Sequence, residues 1–287
     1  MLVSMTDAPE VLRYSAFAAT PDGGNPAGVV LDAAHLTDAD MQRIAAEVGY
    51  SETAFVTGRG GEGDSPRYRL RYWSPGAEVP FCGHATVATA VALAERDGVG
   101  GVVFDTQAGE VALRSTEDAT GISVSFTSVE PHVRPLDVDV RDRLLALLGL
   151  TADDLDPRFP AAESFAGNRH PVLVVADREL FHQFRFSPAE VAALMREQGW
   201  LGTVTVVHER HADDWEARNL FPVGRITEDP ATGSAAASVG AFLREHGYAG
   251  RVIRIHQGSH VGRPSLLTIT IPERGGIEVT GGATLLA

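Results

Sequence analysis

The chain has 287 residues, of which 44% are hydrophobic and 22% charged, with a formal net charge of −14. That length suits one large or two medium domains. The negative balance, with no basic run, argues against nucleic acid or an anionic membrane as a partner. No stretch of about 18 apolar residues occurs, and Asp7 and Glu10 interrupt any leader, so a soluble cytoplasmic protein is expected.

Cys82 is the only cysteine, which excludes an internal disulfide and any multi-cysteine metal site. Lysine is absent. A lysine Schiff base and a P-loop lysine are therefore both excluded.

In chain order, residues 12–17 suggest a first strand. The turn-rich loop 21–28 then feeds an apolar strand at 29–31. Thr37 and Asp40 resemble a capping box, Met41, Ile44, Ala45 and Val48 share a helical face, and Gly49 is a natural stop. A strand at 53–56, a glycine-rich hairpin loop at 58–66 and an alternating strand at 68–73 follow. Residues 85–94 form a helix apolar or small on nearly every side, so it should be buried all round, inside a curved sheet. Short strands at 102–104, 111–113 and 122–126 precede residues 130–135, which carry two prolines and suggest a crossing to a second half. The expected division is 1–128 and 129–287, with a strand from 275–287 able to return to the first half.

The second half repeats the first. A helix over 139–150 has no obvious counterpart, but Gly167-Asn168 precedes the apolar run 172–175 as Gly24-Asn25 precedes 29–31. Ser187-Pro188-Ala189-Glu190 suggests a capping box, and Gly199 stops that helix. Pairing Thr37 with Ser187, Gly49 with Gly199, Pro80 with Pro230 and Gly83 with Gly233 gives one offset of 150 residues each time. Such a series points to a duplicated fold. Small-molecule sites favour clefts between like domains.

Two stretches stand out. Residues 228–235, Glu-Asp-Pro-Ala-Thr-Gly-Ser-Ala, open an alanine-rich helix that runs on to Gly247, and residues 80–86 open the earlier one. Helix starts with bare backbone favour an anion such as a carboxylate. Two such ends facing one small anionic metabolite is the expected arrangement. Glu52 is where the repeat breaks, since it aligns with Gly202. Burial beside Ala54, Phe55 and Val56 would raise its pKa towards a range useful for moving a proton. A solvated loop glutamate is the alternative. Asp229 suits either a helix cap or a ligand contact. Thr232 and Ser234 suit caps, contacts or both. His84 at a helix start is expected neutral and hydrogen-bonded. Cys82 is most simply a small buried hydrophobe.

Other motifs fail. His208-Glu209-Arg210-His211 has its histidines three apart where a zinc helix needs four, and residues 97–101 lack a dinucleotide fingerprint. No Gly-x-Ser-x-Gly elbow occurs.

GNPAGVV at 24–30, SETAFV at 51–56, CGHATVATA at 82–90, EDPATGSAAAS at 228–238 and QGSHVGRPS at 257–265 together resemble the PhzF-like phenazine biosynthesis family. The resemblance implies the α+β diaminopimelate epimerase fold: two pseudo-symmetric domains, each a curved, mostly antiparallel sheet or barrel around a central helix. It implies an isomerase needing no cofactor and no metal, usually a homodimer, with the site between the domains. By the same resemblance Glu52 is the acid/base. His84, Asp229 and Ser234 contact substrate, as do the amides of Gly83 and Gly233. Asn25 lies in a matching loop. In the phenazine enzyme the substrate is a dihydro-hydroxyanthranilate. An epimerase with two cysteines is excluded, because Thr232 stands where the second would be. A single-thiol epimerase-like enzyme and a non-catalytic binding protein of the same fold are the alternatives.

Overall fold

The structure is a computed structural model that describes residues 9–60, 65–224 and 226–286. Part of the glycine-rich loop expected at 58–66 lies outside the described residues. The chain forms two compact units. The first holds the residues up to Ala16, Pro26–Val124 and those from Gly282; the second holds Phe17–Asn25 and Ser125–Gly281. Among the described residues no helix is long and apolar enough to cross a membrane.

In the first unit β1 (Leu12–Ala16), β2 (Asn25–Val30), α1 (Asp38–Val48), β3 (Glu52–Gly60), β4 (Arg67–Trp73), β5 (Glu78–Val79), α2 (Gly83–Asp97), β6 (Gly101–Thr106), β7 (Gly109–Asp118) and β8 (Gly121–Thr127) follow in turn. The strands run β1-β2-β3-β4-β6-β7-β8, with β5 on the flank of β4. The ring is closed by the chain's last strand (Glu278–Leu285), which pairs with β8 and with β1, Tyr14 opposite Leu285. Eight strands thus form a barrel with no free edge.

Helix α2 packs on β1, β3 and β7, and its residues from His84 to Ala94 are all buried. Alanines make that possible, being narrow enough for a closed ring of strands. The two threonines satisfy themselves locally: Thr86 donates to the Cys82 carbonyl at 2.7 Å and Thr89 to that of Ala85 at 2.7 Å. Helix α1 covers the sheet elsewhere, packing Met41, Ile44 and Ala45 with Val30, Phe55 and Trp73. Burying a side chain such as Phe55 contributes about 1.5–3 kcal/mol. The expected capping box of Thr37 and Asp40 is present, and Gly49 ends α1 at φ 72°.

The second unit contains β9 (His132–Pro135), α3 (Val138–Leu148), β10 (Ala162–Phe165), β11 (Arg169–Val174), α4 (Arg178–Gln183), α5 (Pro188–Gln198), β12 (Val204–His211), β13 (Asp214–Leu220), α6 (Gly233–Leu243), β14 (Val252–Gln257), β15 (Ser265–Thr270) and the last strand, β16. Their order is β9-β10-β11-β12-β13-β14-β15-β16. The pairing sequence β11-β12 parallel, β12-β13 antiparallel, β13-β14 parallel and β14-β15 antiparallel matches β2-β3, β3-β4, β4-β6 and β6-β7. The two units therefore share one topology, as the α+β epimerase-like reading requires. Helix α6 is the counterpart of α2 and is buried along its length apart from Ser234.

Two local expectations need correction. Residues 130–135 do not merely cross over: β9 pairs with β10, Ala162 opposite Pro135. A proline at a strand end breaks no ladder. Ser187 precedes α5 but makes no side-chain cap, and Pro188 takes the first helical position.

Residues 17–25 belong to the second unit although both their flanks belong to the first. The cause is a latch on the QGSHVGRPS segment. The Ala19 and Gly24 amides both donate to the Pro264 carbonyl, at 3.0 and 3.1 Å. Arg263 donates to the carbonyls of Gly24 and Gly23, at 2.6 and 2.8 Å. Gly23 allows this approach, since a Cβ there would sit 2.0 Å from the Pro264 oxygen.

Candidate active site

The candidate residues fall into two groups, one in each unit. The first is built where α1 ends. Gly49 turns the chain, Tyr50 and Ser51 follow, and Glu52 is the first residue of β3, opposite Ala27 of β2. Gly28 lets β2 and β3 close up there, because a Cβ on it would lie 2.6 Å from Thr53 Oγ1.

Glu52 meets the start of α2. Its Oε2 lies 3.4 Å from His84 Nε2 and 3.5 Å from Cys82 Sγ. His84 Nδ1 is 3.3 Å from the same sulfur, and Ser51 Oγ is 3.4 Å from Nε2. The Glu52 side chain keeps 20% of its surface and that of His84 keeps 7%. Glu52 is thus not a solvated loop residue: it is held by two buried polar neighbours with one side left open. Cys82 is buried, yet it has polar contacts on both sides and is more than a small hydrophobe. The carboxylate, thiol and imidazole ligand atoms all lie within 4.8 Å of one another, a donor set that a divalent cation can accept. Gly83 opens α2, and the first amide bonded within the helix is that of Thr86.

The second group is built around the turn before α6. The helix begins at Gly233, with Thr232 at the cap position, so Asp229 is not its cap and Pro230 stands outside it. Residues 229–231 instead cross over the end of β13, where the Asp229 amide donates to the Asn219 carbonyl at 2.8 Å. The Asp229 carboxylate accepts from Asn25 Nδ2 at 2.8 Å on one oxygen and from Thr232 Oγ1 at 2.5 Å on the other. Asn25 also donates to the Ala231 carbonyl at 3.1 Å, so the latch of residues 17–25 brings it to this turn.

Gln257 binds the turn from below. Its amide donates to the Asp229 carbonyl at 2.6 Å and to Thr232 Oγ1 at 3.0 Å, and its oxygen accepts the Thr232 amide at 3.2 Å. Gly258, at φ 80°, leaves room for the Pro230 carbonyl, which a Cβ would approach to 2.5 Å. The first bond within α6 runs from the Ala236 amide to the Thr232 carbonyl. The Gly233, Ser234 and Ala235 amides accordingly have no acceptor inside the helix. Ser234 Oγ lies 3.1 Å from Nε2 of His170, a fully buried histidine of β11. Burial lowers the His170 pKa to about 4, so the ring is neutral.

Among the expected residues, Glu52, Gly83 and His84 come together in the first unit. Asn25, Asp229, Thr232, Gly233 and Ser234 come together in the second. Ser51, His170, Gln257 and Arg263 were not singled out as site residues. For Ser51, Gln257 and Arg263 a signal existed, since all three lie within conspicuous motifs; His170 carried none.

The family model for phenazine biosynthesis-like proteins (PhzC-PhzF) matches residues 14–287. The chain belongs to this family. Its relatives bear isomerase names. It is 31% identical over 292 residues to a protein of Escherichia coli O157:H7 named uncharacterized isomerase YddE, covering 97% of this chain and 96% of that one. It is 32% identical over 262 residues to the trans-2,3-dihydro-3-hydroxyanthranilate isomerase of Pseudomonas chlororaphis, covering 88% and 86% of the two. Among solved structures, a predicted epimerase of Pseudomonas aeruginosa aligns with a TM-score of 0.82 at 27% identity, over 97% of each chain. A hydroxyproline epimerase of Agrobacterium vitis shares the fold at a TM-score of 0.62 and 12% identity, over 96% of this chain and 90% of that one. The PhzC-PhzF assignment and the paired topology agree on an epimerase-like architecture.

Proposed function

We propose that this chain is a cofactor-independent isomerase that moves a proton between two carbons of a small carboxylate metabolite, with Glu52 as the acid/base. The observation that carries the reading is the placement of Glu52: a carboxylate 20% exposed, 3.4 Å from His84 and 3.5 Å from Cys82. The isomerase names of the PhzC-PhzF relatives support the reaction class.

In the proposed reaction an ionised Glu52 takes a proton from an acidic C–H bond. The electron pair of that bond passes into the conjugated system of the substrate. Glu52, now protonated, returns the proton at another carbon. Atoms and electrons balance without an oxidant or a metal. His84 orients a polar group of the substrate and stabilises the developing charge. Asn25, Asp229, Thr232 and Ser234 contact its polar groups, and the amides of Gly83 and Gly233 hold its carboxylate. The proposed protein is a cytoplasmic homodimer with no nucleic-acid or membrane partner.

The test is turnover of trans-2,3-dihydro-3-hydroxyanthranilate in deuterated water, followed by mass spectrometry. Wild type should incorporate deuterium at carbon. Glu52→Gln should lose at least about 100-fold in rate while keeping ligand affinity. Undiminished exchange in that variant would reject Glu52. Binding by the wild type without exchange would favour a binding protein.

The contacts of Cys82 support a second reading, in which the thiol of a single-thiol epimerase-like enzyme carries the proton.

A further inference from the structure

We infer that Glu52, Cys82 and His84 form a zinc site, and that zinc bound there switches the proton transfer off. The site stands on its own geometry; the inhibition rests on the proposed reading of Glu52 as the acid/base.

The three donor atoms are spaced as zinc requires. Glu52 Oε2 lies 3.4 Å from His84 Nε2 and 3.5 Å from Cys82 Sγ, and Sγ lies 3.7 Å from Nε2. Around a tetrahedral zinc, with bonds of about 2.3 Å to sulfur and about 2.0–2.1 Å to nitrogen and oxygen, the same three edges come to about 3.3, 3.5 and 3.6 Å. Sγ is also 3.3 Å from Nδ1, so the sulfur faces the ring rather than one nitrogen. A turn of the imidazole about its Cβ–Cγ bond aims a lone pair at the ion.

The backbone brings the thiol round. Within a continuous helix, residues two apart point to different sides. Cys82 stands before α2 and is extended, at φ −144° and ψ 113°, so its sulfur and the imidazole converge on the head of β3 instead.

Charge and burial agree with the spacing. A helix N-terminus repels a cation. Here, however, an ionised carboxylate and a thiolate supply two negative charges against the two positive charges of zinc. Cys82 releases its proton to solvent on binding. The mixed sulfur, nitrogen and oxygen set suits zinc, whereas magnesium and calcium take oxygen ligands. Cys82 and His84 are buried while the Glu52 side chain keeps 20% of its surface, so the ion enters past the carboxylate and a water fills the fourth position. The lone pair that Glu52 gives to zinc can no longer take a proton from carbon.

Cobalt(II) is the spectroscopic probe. Added to chelator-treated protein, it should give the visible bands of a tetrahedral ion and a thiolate-to-cobalt charge-transfer band, and zinc should displace it. Cys82 is the only cysteine, so that band has a single source. Cys82→Ser should abolish the band, and Glu52→Gln and His84→Gln should each weaken zinc binding at least about tenfold by calorimetry. Saturating zinc should slow deuterium exchange by wild type at least about tenfold, a chelator should restore it, and magnesium should do neither. Cobalt bound without the charge-transfer band, or zinc affinity indifferent to Glu52→Gln and His84→Gln, overturns the site. If Cys82→Ser does not fold, the wild-type band decides alone. Full exchange at saturating zinc overturns the inhibition when Glu52→Gln is inactive. If Glu52→Gln exchanges too, the Glu52 reading fails and the zinc site stands on its spectrum.

Discussion

Arg218 Nη2 lies 2.6 Å from Glu228 Oε1, a buried ion pair one residue before Asp229. Arg218 also donates to the Phe181 and Phe184 carbonyls, at 3.2 and 3.1 Å, and stacks 3.7 Å above the Phe184 ring. All three guanidinium nitrogens thus donate, and one face is covered by a ring. Glu228 bridges Leu220, so the pair anchors the turn that carries Asp229. Glu228→Gln would leave a buried cation without its counter-charge. The expected loss is about 3 kcal/mol, read from urea unfolding, because breaking one side of such a pair uncovers an unpaired charge.

Gly240 lies in the middle of α6, where glycine normally costs about 1 kcal/mol against alanine. Here the exchange should still destabilise. A Cβ would approach Ile277 Cγ2 to 2.8 Å and Ile269 Cγ2 to 2.9 Å, and β-branched side chains have little room to turn away. Overpacking of this kind costs about 1–3 kcal/mol. Gly240→Ala should therefore lower the melting temperature, with the clash outweighing the gain in helix propensity. A raised melting temperature would show that β15 and residue 277 yield more easily than their packing implies.

Acid stability should depend on His170. Its pKa is near 6.5 in the unfolded chain and is lowered by burial to about 4 in the fold. Between those values the unfolded chain binds a proton that the folded chain does not, so stability is full above pH 6.5 and falls as the pH drops towards 4. The whole effect is on the order of 3 kcal/mol, at about 1.4 kcal/mol per pH unit. His260, likewise lowered by burial, acts in the same direction. Urea midpoints of wild type and His170→Gln at pH 7.5 and 5 should converge at the lower pH.

The contacts of Cys82 with Glu52 and His84 make two experiments decisive. Cys82→Ser should keep deuterium exchange within about tenfold of wild type if Glu52 carries the proton, and should abolish it if the thiol does. Dialysis against a chelator should leave the rate unchanged. A rate lost with the metal and recovered on adding zinc would assign the three side chains to a cation instead.

Much of the fold could be read from residue patterns because the signals were local. Thr37, Asp40 and Gly49 delimit α1 by capping chemistry, and the unbroken apolar surface of α2 announced a helix enclosed by strands. The 150-residue offset of Gly83 and Gly233 matches the first residues of α2 and α6. What escaped notice depends on long-range pairing. No periodicity marks 17–25 as part of the second unit, since its attachment is a set of backbone carbonyls meeting Arg263 and Pro264. Gln257 looks like any polar strand end until the turn at 229–232 folds onto it. Asp229-Pro230 suggested the start of α6, but the preceding strand holds the Asp229 backbone extended and delays the helix to Gly233. His170 sits in an apolar run, and its tie to Ser234 spans 64 residues.

The exchange of segments between the units constrains how the chain can be made. Residues 17–25 are synthesised early but find their hydrogen-bonding partners only once 258–265 exist, and the barrel of the first unit stays open until 282–285 emerge. A ribosome-bound chain halted after residue 128 would therefore hold an unsealed ring with an exposed strand edge. Neither half can be released as a self-sufficient piece by one cut, and the first barrel should mature only after residues 282–285 have left the ribosome.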